Sequence, residues 1–171
     1  VVSTTGVEPE IPGGYAAAVI LDTEAQLARA DLRVEEEARR RWFNALALCA
    51  PGAPVALVGD PAHPVLQAII AWSPRRAATR EAAERERSHL PPAWQLATID
   101  GQELGSWSRD LEAAGVEVLG PLTSSHGERL VARHARDGRV HLAEVMRTLV
   151  AARTSRKEPT ARIRIDPFSL D

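Results

Sequence analysis

Cysteine occurs once, at Cys49. A lone thiol can close neither an internal disulfide nor a cysteine-based zinc site, so a reducing, cytoplasmic setting is expected. Long apolar runs are also missing. The longest, Tyr15 to Leu21, falls far short of the roughly 20 residues that cross a bilayer, so no membrane partner is expected. The opening Val1-Val2-Ser3-Thr4-Thr5-Gly6 has neither the basic head nor the apolar stretch of a signal peptide, and it lacks an initiator Met. It reads as a cut inside a larger protein. Lysine is nearly absent: Lys157 is the only one among 21 basic residues. Net charge is -2, so no global positive field advertises nucleic acid. There is no GxxxxGK[ST] phosphate loop. His126, His134 and His141 share no metal spacing, and Ser124-Ser125-His126 has no positioned acid or nucleophile elbow. Neither a metalloenzyme nor a triad hydrolase is supported, and no cofactor is expected.

What is present is enough apolar sequence, 44% of 171 residues, for one ordinary domain or two small ones. In the first half, Val1–Thr4, Tyr15–Leu21 and Val55–Val58 read as short strands. Their apolar runs are continuous rather than alternating, as when helices cover both faces of a sheet. Asp22 or Thr23 can cap a helix beginning near Glu24. A second helix runs from Val34 to about Leu48, with Glu35, Glu36 and Glu37 at its positive end. Pro61–Trp72 gives a third, with Val65, Leu66, Ile69 and Ile70 at core spacing. This alternation predicts a piece of parallel α/β sheet over residues 1–73.

Residues 74–92 form a linker. Its mixed charges, from Arg75 to Arg87, predict a solvated helix held by i, i+4 pairs, and Pro91-Pro92 ends it. Residues 93–171 then run strand (Trp94–Ile99), helix (Gln102–Ala113), strand (Val116–Leu119), strand (Glu128–His134), helix (Arg139–Ala152) and strand (Ala161–Ile165). The last helix has core positions at Val140, Leu142, Val145, Met146 and Leu149. The last strand sets Ile163 and Ile165 on one face, Arg162 and Arg164 on the other. That order, βαββαβ, is the ferredoxin-like split arrangement of an α+β domain.

Several short strings, in order along the chain, resemble the C-terminal region of the PriA family of bacterial replication-restart proteins. Asp60-Pro61 with His63-Pro64-Val65-Leu66-Gln67 resembles the segment after the last strand of the family's second helicase lobe. Glu84-Arg85 followed by Leu90-Pro91-Pro92 resembles the join to its C-terminal domain. Val118-Leu119-Gly120-Pro121 resembles its Leu-Gly-Pro loop. Ser155-Arg156-Lys157 and Asp166-Pro167 resemble its terminal signature. The resemblance implies a remnant of helicase lobe 2 followed by the family's ferredoxin-like C-terminal domain. It also implies partners: forked or single-stranded DNA, single-stranded DNA-binding protein, and other primosome or replisome-loading proteins.

Family helicases carry an arginine-bearing motif VI whose arginines reach the γ-phosphate of ATP; losing such an arginine costs about 10³ to 10⁵ in rate. Here the corresponding run, Trp42-Phe43-Asn44-Ala45-Leu46-Ala47-Leu48-Cys49-Ala50, contains no arginine. After Arg41 the next is Arg75. Thr4-Thr5-Gly6-Val7-Glu8-Pro9 stands where the family has a Gly-Thr-Gln-type loop. Such erosion is similar to the degenerate actinobacterial branch and implies a pseudo-helicase, not an enzyme. The alternative is that the full-length protein is an active ATP-dependent 3'-5' DNA helicase using arginines from elsewhere.

Arg39-Arg40-Arg41 read as the exposed face of a helix whose buried face carries Trp42 and Leu46, the alternative being displaced motif VI arginines. Trp42 and Trp72 fit helix cores, while Trp107, in a Ser-Trp-Ser setting, is the best candidate for stacking on bases. Arg147, Arg153, Arg156, Lys157, Arg162 and Arg164 form the one locally basic stretch. Of these, Arg156, Lys157, Arg162 and Arg164 are the candidate phosphate contacts. By the resemblance, Arg139 matches an arginine that helps receive the acidic tail of single-stranded DNA-binding protein, although the glutamine one turn later is Ala143 here.

Overall fold

The computed structural model describes residues 1–4, 6–124, 127–138 and 141–170. The chain divides into two compact units, Val1–Arg80 and Glu81–Asp171.

In the first unit, β1 (Ala18–Ile20) pairs in parallel with β2 (Val55–Leu57), Ala18 opposite Val55 and Ile20 opposite Leu57. A short helix α1 (Thr23–Leu27) and the longer α2 (Val34–Ala47) lie between them, and α3 (Pro64–Ile70) follows. Ala38, Trp42 and Leu46 recur four residues apart on α2, so one stripe of that helix packs on Val65, Leu66 and Ile69 of α3. The Trp42 indole N–H is satisfied by the Gln26 side-chain oxygen at 3.1 Å. Pro64 supplies the preset φ of a first helical residue, and the His63 ring accepts the Val65 amide at 3.2 Å.

Several expectations need correction here. Val1–Thr4 forms no strand, and the strand expected over Tyr15–Leu21 narrows to β1 plus a single bridge from Tyr15 to Cys49. The faces of β1 and β2 are not both covered: Val19 is 59% exposed. A continuous apolar run reports strand propensity, but covering both faces takes neighbours that a two-stranded sheet does not have. Asp22 makes no side-chain cap. Instead the buried Thr23 hydroxyl donates to the Val58 carbonyl at 2.7 Å, and only glycine fits beside it, since a Cβ on Gly59 would lie 1.9 Å from that oxygen. Trp72 falls beyond the end of α3 with φ 45°, half exposed, its ring meeting Phe43 edge-on at 5.2 Å. Arg39 is buried, while Arg40 and Arg41 turn back to Glu37 at 2.7 and 3.6 Å.

The helix α4 (Pro74–Arg87) spans the break between units and has no buried residue, with an Arg85–Glu81 pair at 2.8 Å across one turn. The second unit then runs β3 (Trp94–Gly101), α5 (Gly105–Ala113), β4 (Glu117–Ser124), β5 (Gly127–Ala135), α6 (Leu142–Ser155) and β6 (Arg162–Ile165). The four strands lie in the order β4-β5-β3-β6, every neighbour antiparallel. Ala97, Ile99, Leu130 and Ala132 from the sheet close a core with Trp107 and Leu111 of α5 and Leu142 and Met146 of α6. Val140 lies outside the described residues.

The Gly-Pro expected as a loop after Leu119 is instead inside β4. The register slips between Leu119 and Leu122, where Gly120 adopts φ 114° and a Cβ would lie 2.8 Å from the Arg129 carbonyl oxygen. β4 is an edge strand, so Pro121 interrupts no second ladder.

Candidate nucleic-acid interface

Strand alternation divides the second sheet. Ala97 and Ile99 face the helices, so Leu96, Thr98 and Asp100 of β3 face the other way, together with Arg129, Val131 and Arg133 of β5 and Arg162 and Arg164 of β6. Pairing sets Asp100 between Arg129 and Arg162, and Thr98 beside Arg164. Thus the two candidate arginines of β6 do share one side of an edge strand. Arg162 is exposed. Arg164 is half-buried, its Nε donating to the Thr98 hydroxyl oxygen at 3.2 Å and its Nη2 standing 3.8 Å from Asp100.

Arg156 and Lys157 sit in the turn that closes α6, both exposed. Arg156 lies 3.6 Å from Glu158, and Lys157 takes φ 57° as the chain leaves the helix. Arg147 is exposed on α6, 3.8 Å from Glu144.

Arg153 of the basic stretch and the stacking candidate Trp107 are not where the sequence suggested. Arg153 is buried, holding Asp110 at 2.5 Å and Glu158 at 3.0 Å with its guanidinium 4.5 Å over the Trp107 ring. Such an arginine is an internal brace, not a phosphate contact. Trp107 is itself only 3% exposed, a core residue of α5, and presents no surface on which a base could stack. Helix periodicity overrides the polar neighbours: Trp107 and Leu111 share a stripe, while Ser106 and Ser108 fall to either side. Arg139 and His126 lie outside the described residues.

Reading the sequence missed Asp100, Thr98 and Arg129. Asp100 is buried and takes Arg129 Nε on its Oδ1 at 2.5 Å. An acid inside an apolar run, Leu96 to Asp100, was a usable signal, because a buried charge demands a partner. Which partner depends on strand register. A second cluster ties the end of α4 to this sheet. His89 stacks on Trp94 at 3.8 Å and meets Glu117 at 3.1 Å, while Arg133 reaches Glu117 at 2.5 Å. Arg133, opposed by burial and aided by His89, holds the Glu117 carboxyl below its ordinary value of 4.5. Among the described residues no group of three His, Cys, Asp or Glu side chains could hold a metal ion, and no helix is long and apolar enough to cross a membrane.

An antiparallel sheet with two helices on one face and arginines on the other defines an α+β sheet domain. Residues 86–168 match the family of the primosomal protein N C-terminal domain. The chain belongs with the C-terminal portion of the PriA replication-restart proteins. It is 34% identical over 99% of its length to the probable replication restart protein PriA of Mycobacterium tuberculosis (strain CDC 1551 / Oshkosh), and equally to that of Mycobacterium leprae (strain TN). It spans about 30% of the length of these curated relatives.

Proposed function

We propose that this chain is the DNA- and protein-binding C-terminal region of a PriA-like restart protein, which helps recognise stalled forks and reload the replisome without a helicase motor of its own. In this reading residues 1–73 are a remnant of helicase lobe 2, 74–92 a linker helix, and 93–171 a ferredoxin-like C-terminal domain. The strand order β4-β5-β3-β6, with both helices packed on one face, supports the last assignment. Forked or single-stranded DNA, single-stranded DNA-binding protein and replisome-loading proteins are its partners, and it needs no cofactor.

The observation that carries DNA contact is the placement of the basic side chains: exposed Arg162 and half-buried Arg164 on one side of β6, with exposed Arg156 and Lys157 in the turn leading toward it. Neutralising these four should weaken binding to forked DNA. It should also flatten the salt dependence by about 0.7–0.9 in log–log slope for each phosphate that the protein no longer neutralises. Unchanged affinity and slope would move the site elsewhere. Binding of a peptide with the acidic tail of single-stranded DNA-binding protein, measured alongside, tests the protein-binding half.

The absence of a motor rests on α2, where Asn44-Ala45-Leu46-Ala47 occupies the place of phosphate-reaching arginines and Leu46 is committed to the core. An ATPase assay of the full-length protein on forked DNA decides it. Robust DNA-stimulated turnover would show an active 3'-5' helicase and sink this half of the reading.

A further inference from the structure

Three arginines lie around one buried carboxylate on the sheet face opposite α5 and α6. Asp100, 5% exposed, takes Arg129 Nε on Oδ1 at 2.5 Å and faces Arg164 Nη2 with Oδ2 at 3.8 Å. Thr98, also buried, accepts from Arg164 Nε at 3.2 Å. Arg129 is spent inside the protein, because its Nη1 donates to the Leu170 carbonyl and only 13% of its side chain is exposed. Arg164 keeps 31% exposure, and Arg162, exposed, follows Asp100 across the β3–β6 ladder. An arginine gives up rotamer freedom when it is immobilised. One already held at Nε by a hydrogen bond, with Nη2 drawn toward the Asp100 carboxylate, gives up less when a ligand arrives.

We propose that Asp100 and Thr98 are positioning residues that hold Arg164 beside Arg162 for the phosphodiester backbone of nucleic acid, with Arg129 bracing Asp100 from the β5 side. This rests on the DNA-binding reading above and adds the residues that preorganise the contact. Asp100 is what makes the idea testable, because positioning and charge counting predict opposite signs. If the surface were only an electrostatic field, removing the Asp100 charge would tighten binding to a polyanion. If Asp100 positions Arg164, the same change weakens binding.

The test is titration of the whole chain with forked DNA at several salt concentrations. Arg164→Ala should weaken binding and lower the salt slope by about 0.7–0.9. Asp100→Asn should weaken it about fivefold with a comparable drop in slope, and the double variant should bind no worse than Arg164→Ala alone. Thr98→Val, which keeps the buried shape and removes the oxygen that Arg164 uses, should weaken binding about two- to threefold. It keeps the test open should Asp100→Asn fail to fold, which circular dichroism and thermal melting would reveal. Asp100→Asn or, where that does not fold, Thr98→Val binding as tightly as the unchanged chain, or tighter, overturns the positioning role. If Arg164→Ala alone has no effect, the DNA-binding reading of β6 falls first and the inference falls with it.

Discussion

Trp107 and Arg153 show how far a residue's setting can differ from its sequence neighbourhood. Trp107 sits between serines yet fills the core, and Arg153, which looks like part of a basic cluster, closes over its ring. The guanidinium reaches Ser106 at 3.1 Å as well as Asp110 and Glu158, so three polar partners on α5 and the post-helix turn compensate its burial. Truncating Trp107→Ala should therefore destabilise the second unit by about 3–5 kcal/mol, while Trp107→Phe, which keeps most of the apolar volume, should cost less. Chemical denaturation followed by circular dichroism checks the magnitude. The salt slope of DNA binding, measured where the variant is folded, should stay that of the unchanged chain. A variant of normal stability with lost DNA affinity would restore the stacking role and refute the core assignment.

At the scale of elements, the segment after α4 is fastened to the sheet by charge as well as by the stacking of His89 on Trp94. Glu117 at the start of β4 receives both His89 and Arg133, and Arg133 also donates to the Ser88 carbonyl at 3.2 Å. The folded carboxyl lies below its ordinary value, chiefly because of Arg133. A depressed acid contributes stability that is present above its unfolded pKa and is lost as pH falls through the folded one. Glu117→Gln should thus lower Tm at neutral pH, by about 2–4 °C for a partly exposed pair, with the difference closing as the pH falls below that acid range. A melting series from pH 7 down to pH 3 reads this directly. A difference that persists unchanged at the acid end would assign the effect to packing instead. The same elements mark what the sequence could and could not tell. The helices α2 and α6 and the strands β3, β5 and β6 were legible because their periodicities run over enough residues to average out local exceptions. The expected strand stops at Leu119, short of the observed β4, because Gly120-Pro121 signal a loop when nothing shows that they lie on an edge. The burial of Asp100 and its place between two arginines depend on the pairing of β3 with β5 and β6, and no local pattern encodes that register.

For the whole molecule the decisive feature is the unequal construction of the two units. The second unit has four antiparallel strands and a core closed by α5 and α6, more than the three strands or the helix packing that an independent fold needs. The first has two strands of three residues each, with apolar side chains such as Val19 and Val55 facing outward and a core drawn chiefly from α2 and α3. Between them runs α4, without a buried residue and with arginines at 75, 76 and 80 ahead of the Glu81–Arg85 pair. A helix with so little tertiary support opens locally at low cost, and a protease samples that opening long before either core unfolds. Limited trypsin digestion should therefore cut first after Arg75, Arg76 or Arg80, and mass spectrometry should find a lasting fragment that begins within α4 and contains β3 through β6. Residues 81–171 expressed alone should melt in one cooperative transition, whereas residues 1–80 alone should lose the sharp transition. The reverse pattern, with the first unit surviving digestion and the second degraded, would mean that stability resides in the short parallel sheet. The DNA titrations would then have to be interpreted on that unit instead.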